Sequence, residues 1–396
     1  MPISASKLLI IESHPIQYRA PVYAELNRLC PGSIHVVYAS DFSLRGGHDP
    51  DFSSSITWDT DLLAGYPSTV LSNKLNHAPT GWNDLNGPGL PALVKRLHPQ
   101  AILLTSLNYR YDHLAYALAR WNRIPIWMRC ETQDQAFARP PLKNALRSVY
   151  YRLFYSGISK AFPIGELNRQ HWLRHGLKPN QLVNAHYCTP DRAAGLSLAE
   201  REQRRQLLRR RLGLQPQQLL VAFFGKLITK KQPDLLLDAF DQLPEALRSQ
   251  TSLAFIGSGP LQAALQHRAH ELEQESGASI HFPGFINQSA LVDWYLAADV
   301  VVLPSRKAGE TWGLAANESM QAGCAVVVTE AVGCAADFGR WERFRTIPVG
   351  SASHLAKALA DLSSYQRSFS WASAGLQGYS IKAAAQAFAG AVRELR

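Results

Sequence analysis

Short apolar runs of strand length recur along the whole chain, at residues 7–11, 34–39, 101–105, 124–129, 161–164, 219–224, 252–256, 280–283, 300–303 and 325–329. Between them apolar residues return every three or four positions, as at 20–29, 113–121, 142–155, 233–240, 261–274 and 314–322. The first pattern is that of strands buried on both faces, the second that of amphipathic helices. Their alternation predicts parallel sheets covered by helices, an α/β protein. The series runs twice, over 7–185 and again from 219, with a polar, Arg-rich connection at 189–216. This predicts two Rossmann-like domains facing a central cleft, 1–188 and 189–378. A lone amphipathic helix within 379–396 is expected to cross back to the first domain. Ligands of such sheets sit beyond the carboxyl ends of the strands, so the loops there should hold the chemistry.

Composition narrows the class. The 396 residues suit two or three domains at roughly 150 residues each, and a hydrophobic content of 46% excludes a disordered chain. No apolar run approaches the roughly 20 residues of a membrane span. Residues 1–7 lack the basic-then-apolar order of a signal peptide, so a secreted product is not expected. Five scattered cysteines (Cys30, Cys130, Cys188, Cys324, Cys334) without a C-x-x-C pair argue against a disulfide framework or zinc knuckle. They fit a reducing cytosol, and a cytoplasmic location is expected. The net charge of +10 leaves three partners open: nucleic acid, an anionic membrane, or an acidic small substrate.

The second half carries the clearest chemistry. After the run 219–224 come Gly225-Lys226-Leu227-Ile228-Thr229-Lys230-Lys231-Gln232-Pro233 and a helix, so two lysines flank a helix start where a diphosphate would be stabilised. After 300–303 come Pro304-Ser305-Arg306-Lys307-Ala308-Gly309-Glu310-Thr311-Trp312-Gly313-Leu314, then a helix bearing Glu318. Gly309 and Gly313 admit a ligand close to the backbone, and the amides of 311–314 point at an anion. A carboxylate accepts two hydrogen bonds from a vicinal diol such as ribose. Phosphate near amides and sugar hydroxyls near carboxylates together describe a nucleotide-sugar. The bland alternative is a solvated basic loop and a glutamate that merely favours the helix dipole.

These segments, with Gly257-Ser258-Gly259-Pro260, Pro283-Gly284-Phe285 and Ser319-Met320-Gln321-Ala322-Gly323, stand in the order found in glycosyltransferase family 4, which the chain resembles. The first half is similar to a bacterial subgroup of that family at His14-Pro15-Ile16-Gln17-Tyr18-Arg19-Ala20-Pro21, at His48-Asp49-Pro50-Asp51-Phe52, at 58–66 and at Arg129-Cys130-Glu131-Thr132. The resemblance implies a GT-B fold and a retaining, metal-independent transfer from a nucleoside-diphosphate sugar, UDP before GDP, to a sugar, lipid-linked or small-molecule acceptor. It implies that Lys226 and Lys231 hold the diphosphate and that Glu318 binds the ribose. Glu310 would face the donor sugar, with Gly257, Phe285 and Thr311, Trp312, Gly313 and Leu314 completing the donor site. Many members place a His after the fifth strand of the first domain. Here Arg129-Cys130-Glu131 stands instead, leaving Glu131 or Arg129, and His14 in the first loop, to face the reacting sugar. His113 is a further residue for the acceptor side.

Asp49-x-Asp51 and Asp59-x-Asp61 have the spacing of metal-nucleotide ligands, but two aspartates in a polar loop are common and no metal is expected. G-x-S-x-G, H-E-x-x-H and G-K-[ST] sequences are absent, which disfavours a hydrolase, a zinc protease or a P-loop enzyme. Two competitors share the donor motifs: a nucleotide-sugar epimerase, and a silent nucleotide- or lipid-binding protein. The charge concentrates in the first half, where residues 135–178 hold eight Lys and Arg against Glu166 alone. Around 139–160 these accompany Tyr150, Tyr151, Phe154 and Tyr155, which suits peripheral contact with an anionic membrane, or a helix with a solvated basic edge. Nucleic acid is not expected.

Overall fold

The computed structural model describes residues 6–45, 48–49, 54–55, 59–75 and 77–395. Fourteen strands are named in chain order: β1 Leu8–Glu12, β2 Ile34–Tyr38, β3 His48–Asp49, β4 Ser54–Ser55, β5 Ser68–Val70, β6 Ala101–Leu104, β7 Ile126–Met128, β8 Ile158–Ala161, β9 Leu219–Phe224, β10 Thr251–Ile256, β11 Ile280–Gly284, β12 Val300–Leu303, β13 Ala325–Thr329 and β14 Phe344–Ile347. The helices used below are α1 Ala20–Leu29, α2 Leu90–Leu97, α3 Arg110–Trp121, α4 Pro141–Tyr155, α5 Glu166–Arg174, α6 Leu198–Arg211, α7 Asp234–Asp241, α8 Glu245–Arg248, α9 Gln262–Ser276, α10 Gln288–Ala297, α11 Leu314–Gln321, α12 Ala335–Phe338, α13 Ala352–Leu362, α14 Ser373–Leu376 and α15 Ile381–Arg393.

Two six-stranded sheets result, with orders β5-β2-β1-β6-β7-β8 and β11-β10-β9-β12-β13-β14. Every pairing within them is parallel. The apolar runs of β1, β6, β9 and β12 are buried almost end to end, because helices cover both faces. In each sheet the strand order reverses direction between two central strands, β1 and β6 in the first and β9 and β12 in the second. A crevice opens beyond the carboxyl ends at such a reversal. The two crevices supply the loops that face each other across the cleft.

The last helix belongs to the first domain, as its amphipathic pattern predicts. Ala384, Ala385, Phe388, Ala389 and Val392 of α15 share one core with Leu8, Ile10, Val22, Tyr23 and Leu26. Phe388 stacks on Phe162 at 4.2 Å between ring centroids, and Lys7 Nζ donates to the carbonyl of Leu395 at 2.8 Å. The expected strand at 161–164 lies three residues earlier, as β8. It is an edge strand whose exposed Ser159 and half-exposed Lys160 break the apolar run that the pattern depends on. The edge strands β5 and β14 escape the pattern for the same reason. The stretch 189–216 contains α6, whose buried Arg205 and Arg209 both donate to Asp299, at 2.5 and 3.0 Å.

Candidate active site

The second-domain wall is built where β9 and β12 end. Gly225 follows β9 and Gly257 follows β10, and the two backbones cross so closely that a Cβ on Gly257 would collide with the carbonyl oxygen of Gly225. Gly257 also has φ 142°, open only to glycine at low cost. Beside this crossing, Phe224, Gly225, Gly257, Phe285, Tyr295 and Glu318 line a cavity of about 170 Å³, to which Gln17 of the first domain also contributes. Tyr295 stacks on Phe224 at 3.9 Å and donates to Glu318 Oε2 at 2.7 Å. Burial pushes the Glu318 carboxyl above its ordinary value, opposed by the Tyr295 hydroxyl and by the charge of Arg192. Lys226 is half-buried next to Gly225.

The loop after β12 brings Glu310 against Lys231, to which it is ion-paired, and Ser305 Oγ donates to the same carboxylate oxygen at 3.2 Å. Gly313, at φ 93°, turns this loop into α11, with Leu314 as its first residue. The indole of Trp312 does not reach the cleft. It is buried, donates from Nε1 to Asn317 at 2.8 Å and packs edge-on to Phe338. Among the expected donor-site residues 311–314, Trp312 therefore offers the cleft only its backbone.

The first-domain wall centres on Glu131, in the loop after β7. Its Oε1 accepts from Tyr18 at 3.1 Å, from Arg19 at 2.9 Å and from Tyr187, and its Oε2 accepts from Thr311 of the second domain at 3.0 Å. Arg19 bridges onward to Glu12 at 2.9 Å, and Glu12 also accepts from Thr105 at 2.8 Å and from Tyr23. Burial alone would raise the Glu131 carboxyl. The Arg19 charge and the donated hydroxyls outweigh it and hold the group below its ordinary value, hence ionised. His14 lies beside this network, with Ser13 Oγ on Nδ1 at 3.0 Å and its ring 4.5 Å from Phe42. Burial and the Arg19 charge push it down to about 3, so it is a neutral imidazole near pH 7.

Arg129 takes a different place from the one expected. It is buried, donates to the carbonyls of Ala185 at 3.1 Å and His186 at 3.2 Å, and lies over the rings of Tyr187 and Phe388. It braces the crossover between domains and the α15 seat. His113 sits among Trp82, Tyr150 and Phe154 between α3 and α4. The structure does not bring it to Glu131. Arg19, Glu12 and Tyr187 were not singled out from the sequence. Only the His14–Pro21 stretch pointed near them, because Arg19 reaches Glu131 and Tyr187 across 112 and 168 positions.

Contacts between the walls hold the cleft in a closed arrangement. Gly309 N donates to the carbonyl of Ala136 at 2.9 Å, and a Cβ on Gly309 would meet the Phe137 ring at 2.7 Å. Asp337, pushed up to about 6 mainly by burial, accepts from Glu166 N at 3.1 Å and from Tyr379 at 3.0 Å. Asp59 Oδ2 accepts from Ser289 N at 2.9 Å at the start of α10, and Asp61 accepts from Leu63 N at 2.9 Å. The second D-x-D thus caps backbone. Asp51, Phe52 and Trp58 lie outside the described residues, and only the backbone of Asp49 is described. Asp134, His171 and His175 bring three potential metal-ligand atoms within 4.8 Å of one another. Asp134 also accepts from Arg174 at 2.8 Å, and the knot ties the loop bearing Glu131 to α5. The five cysteines are free and buried, and no helix among the described residues is long and apolar enough to cross a membrane.

Comparison with known proteins agrees with this geometry. Residues 204–369, which include every donor-side residue above, match the family model of glycosyl transferases group 1. The D-inositol 3-phosphate glycosyltransferase of Xylanimonas cellulosilytica is 36% identical over 123 residues, 31% of this chain and 28% of that one. The match therefore spans under a third of that relative's length. Among solved structures, Anabaena HepE in complex with UDP and glucose superposes over 98% of this chain and 100% of that one, with a TM-score of 0.65 at 16% identity. A glycosyltransferase from Rickettsia africae gives 0.67 at 12% identity, over 98% of both chains. The fold is that of the GT-B glycosyltransferases, and the segment that carries the donor-side motif matches a glycosyltransferase family.

Proposed function

We infer that the protein is a retaining glycosyltransferase that moves a sugar from a nucleoside-diphosphate sugar to an acceptor hydroxyl in the cleft. The observation that carries this reading is one constellation. Lys231 pairs with Glu310 between the loops that follow β9 and β12, and Glu318 on the next helix lines the cavity beside Gly225, all inside the segment that matches glycosyl transferases group 1. Glu318 and the cavity lined by Phe285 suit a ribose and base. Lys226, Lys231 and the start of α11 suit a diphosphate. The leaving diphosphate gathers negative charge in the transition state, so fixed cations there lower the barrier more than they stabilise the ground state. Two lysines meet that charge without a metal ion. UDP is the favoured nucleotide, and the UDP complex of the structurally similar HepE supports that choice.

In this reading Glu310 faces the transferred sugar, and Glu131, held ionised by Arg19, faces it from the acceptor side. The ionised Glu131 and the neutral His14 assign the electrostatic role to Glu131, because a base with a value near 3 lies far from working pH. Glycan, polysaccharide or glycolipid synthesis in the cytoplasm is the setting that fits the resemblance to glycosyltransferase family 4. Isothermal titration with UDP, GDP and ADP tests the donor site. Glu318→Ala and Lys231→Ala are expected to lose binding at least tenfold with unchanged melting temperature, and wild-type affinity in either variant overturns the assignment.

A further inference from the structure

Helix α4 is apolar on two opposite faces. Tyr151, Phe154 and Tyr155 are buried in the first-domain core. On the other side Leu142, Leu146, Val149 and Leu153, spaced four, three and four apart, are 74%, 66%, 58% and 70% exposed. Four aliphatic side chains in one helical stripe facing water are not the scatter of single apolar residues that ordinary surfaces carry. The stripe begins beside the cleft. Phe137, 46% exposed just ahead of α4, pairs its backbone with Ala308 and packs on Gly309, next to Glu310.

The charge around the stripe selects the occupant. Residues 135–165 contain five Lys and Arg and no Asp or Glu. Lys143 and Arg152 are exposed on α4 itself, while Arg139 and Arg147 lie over the rings of Phe137 and Tyr151 at 4.8 and 5.0 Å. At the far end Arg120 lies against Gly157, so the end of α3, where Trp121 is 89% exposed, adjoins the end of α4. A two-fold pairing of α4 with its own copy would bring like charges together, at a cost. A bilayer with anionic headgroups meets both features, taking the aliphatic side chains at the acyl boundary and the cations at the phosphates.

We propose that α4 is the surface by which this protein docks on an anionic membrane, with the cleft mouth at Gly309 held beside it. The docking stands apart from the transferase reading, since it needs neither donor nor turnover. Co-sedimentation of the full chain with phosphatidylcholine vesicles, with and without phosphatidylglycerol, tests it. Binding is expected only with phosphatidylglycerol and should weaken as salt rises. Lys143→Gln with Arg152→Gln should weaken it roughly thirtyfold, from two lost cations. Leu146→Glu with Leu153→Glu should abolish it, while circular dichroism and nucleotide affinity stay as in the wild type because both sites face water. No binding to phosphatidylglycerol vesicles at low salt overturns the proposal. So does equal binding to neutral vesicles. So does a solution dimer that the Leu146→Glu and Leu153→Glu pair dissociates, which would make the stripe an interface between copies.

Discussion

Arg19 is the residue on which the first-domain wall depends. Its guanidinium lies between two carboxylates, Glu12 and Glu131, at 2.9 Å from each, and it also donates to Tyr187 at 3.0 Å. Removing one partner from such a buried network leaves charges without compensation, at a cost of about 3–5 kcal/mol. Arg19→Met is therefore expected to lower the melting temperature sharply, and Arg19→Lys to recover only part because it cannot fork to both carboxylates. Arg28→Met, at the exposed pair with Glu25, should leave the melt unchanged. Equal effects of the Arg19 and Arg28 substitutions would show that the network is not what holds this wall. His14 gives the pH prediction. Folded His14 takes a proton only near pH 3, whereas the unfolded chain takes it near the ordinary imidazole value of 6.5. Between those values the unfolded state binds more protons, so this group's contribution to stability falls as pH falls through that window. His14→Gln should flatten the decline in melting temperature between about pH 6 and pH 4 relative to wild type. Parallel curves would count against the buried, neutral assignment.

At the scale of elements, the helix that closes the first domain comes from the far end of the chain. Phe388 is fully buried between Phe162 and Arg129. Phe388→Ala should cost about 3–5 kcal/mol, as large-to-small changes in a packed core do. Urea unfolding should show the loss in the transition of the first domain, with donor affinity in the second domain retained. A loss of donor binding in step with unfolding would mean the two domains unfold as one. The strands and helices that lie in the core were legible because burial on both faces writes an unbroken apolar run, as in β9 and β12. The edge strands β5 and β14 were not and β8 was offset, because one exposed flank lets polar residues in, as Ser159 and Lys160 do in β8, whereas the edge strand β11 was read from its run at 280–283. Likewise Lys231, Glu310 and Glu318 were legible because one loop and one helix present them within a linear motif. The Glu12–Arg19–Glu131–Tyr187 network was not, because tertiary folding alone joins its members. The buried seat of the Trp312 indole was not legible for a related reason. The residue that makes room for its indole, Gly165, belongs to the other domain.

For the whole molecule, the Gly165–Trp312 contact offers a way to separate closure from folding. Gly165 has an extended backbone that any residue can adopt, yet a Cβ there would collide with the Trp312 ring. Gly165→Ala should therefore strain the meeting of the domains and leave each domain intact. Small-angle scattering should report a larger radius of gyration, and turnover should fall more than nucleotide affinity does. Closure excludes water and completes a site built from two halves, so its loss weighs on turnover first. An unchanged radius together with unchanged turnover would mean that the contact does not govern closure.

The seat of α15 also sets an order of events during synthesis. Residues 381–393 leave the ribosome only after the whole second domain, yet they complete the core that begins with β1 and α1. At about 5–20 residues per second, the first domain waits roughly 10–40 s for its last helix after residue 188 has been made. The half that is translated first is thus the half that finishes folding last. Its uncovered α1 surface is the part of the nascent chain that most needs shielding from aggregation.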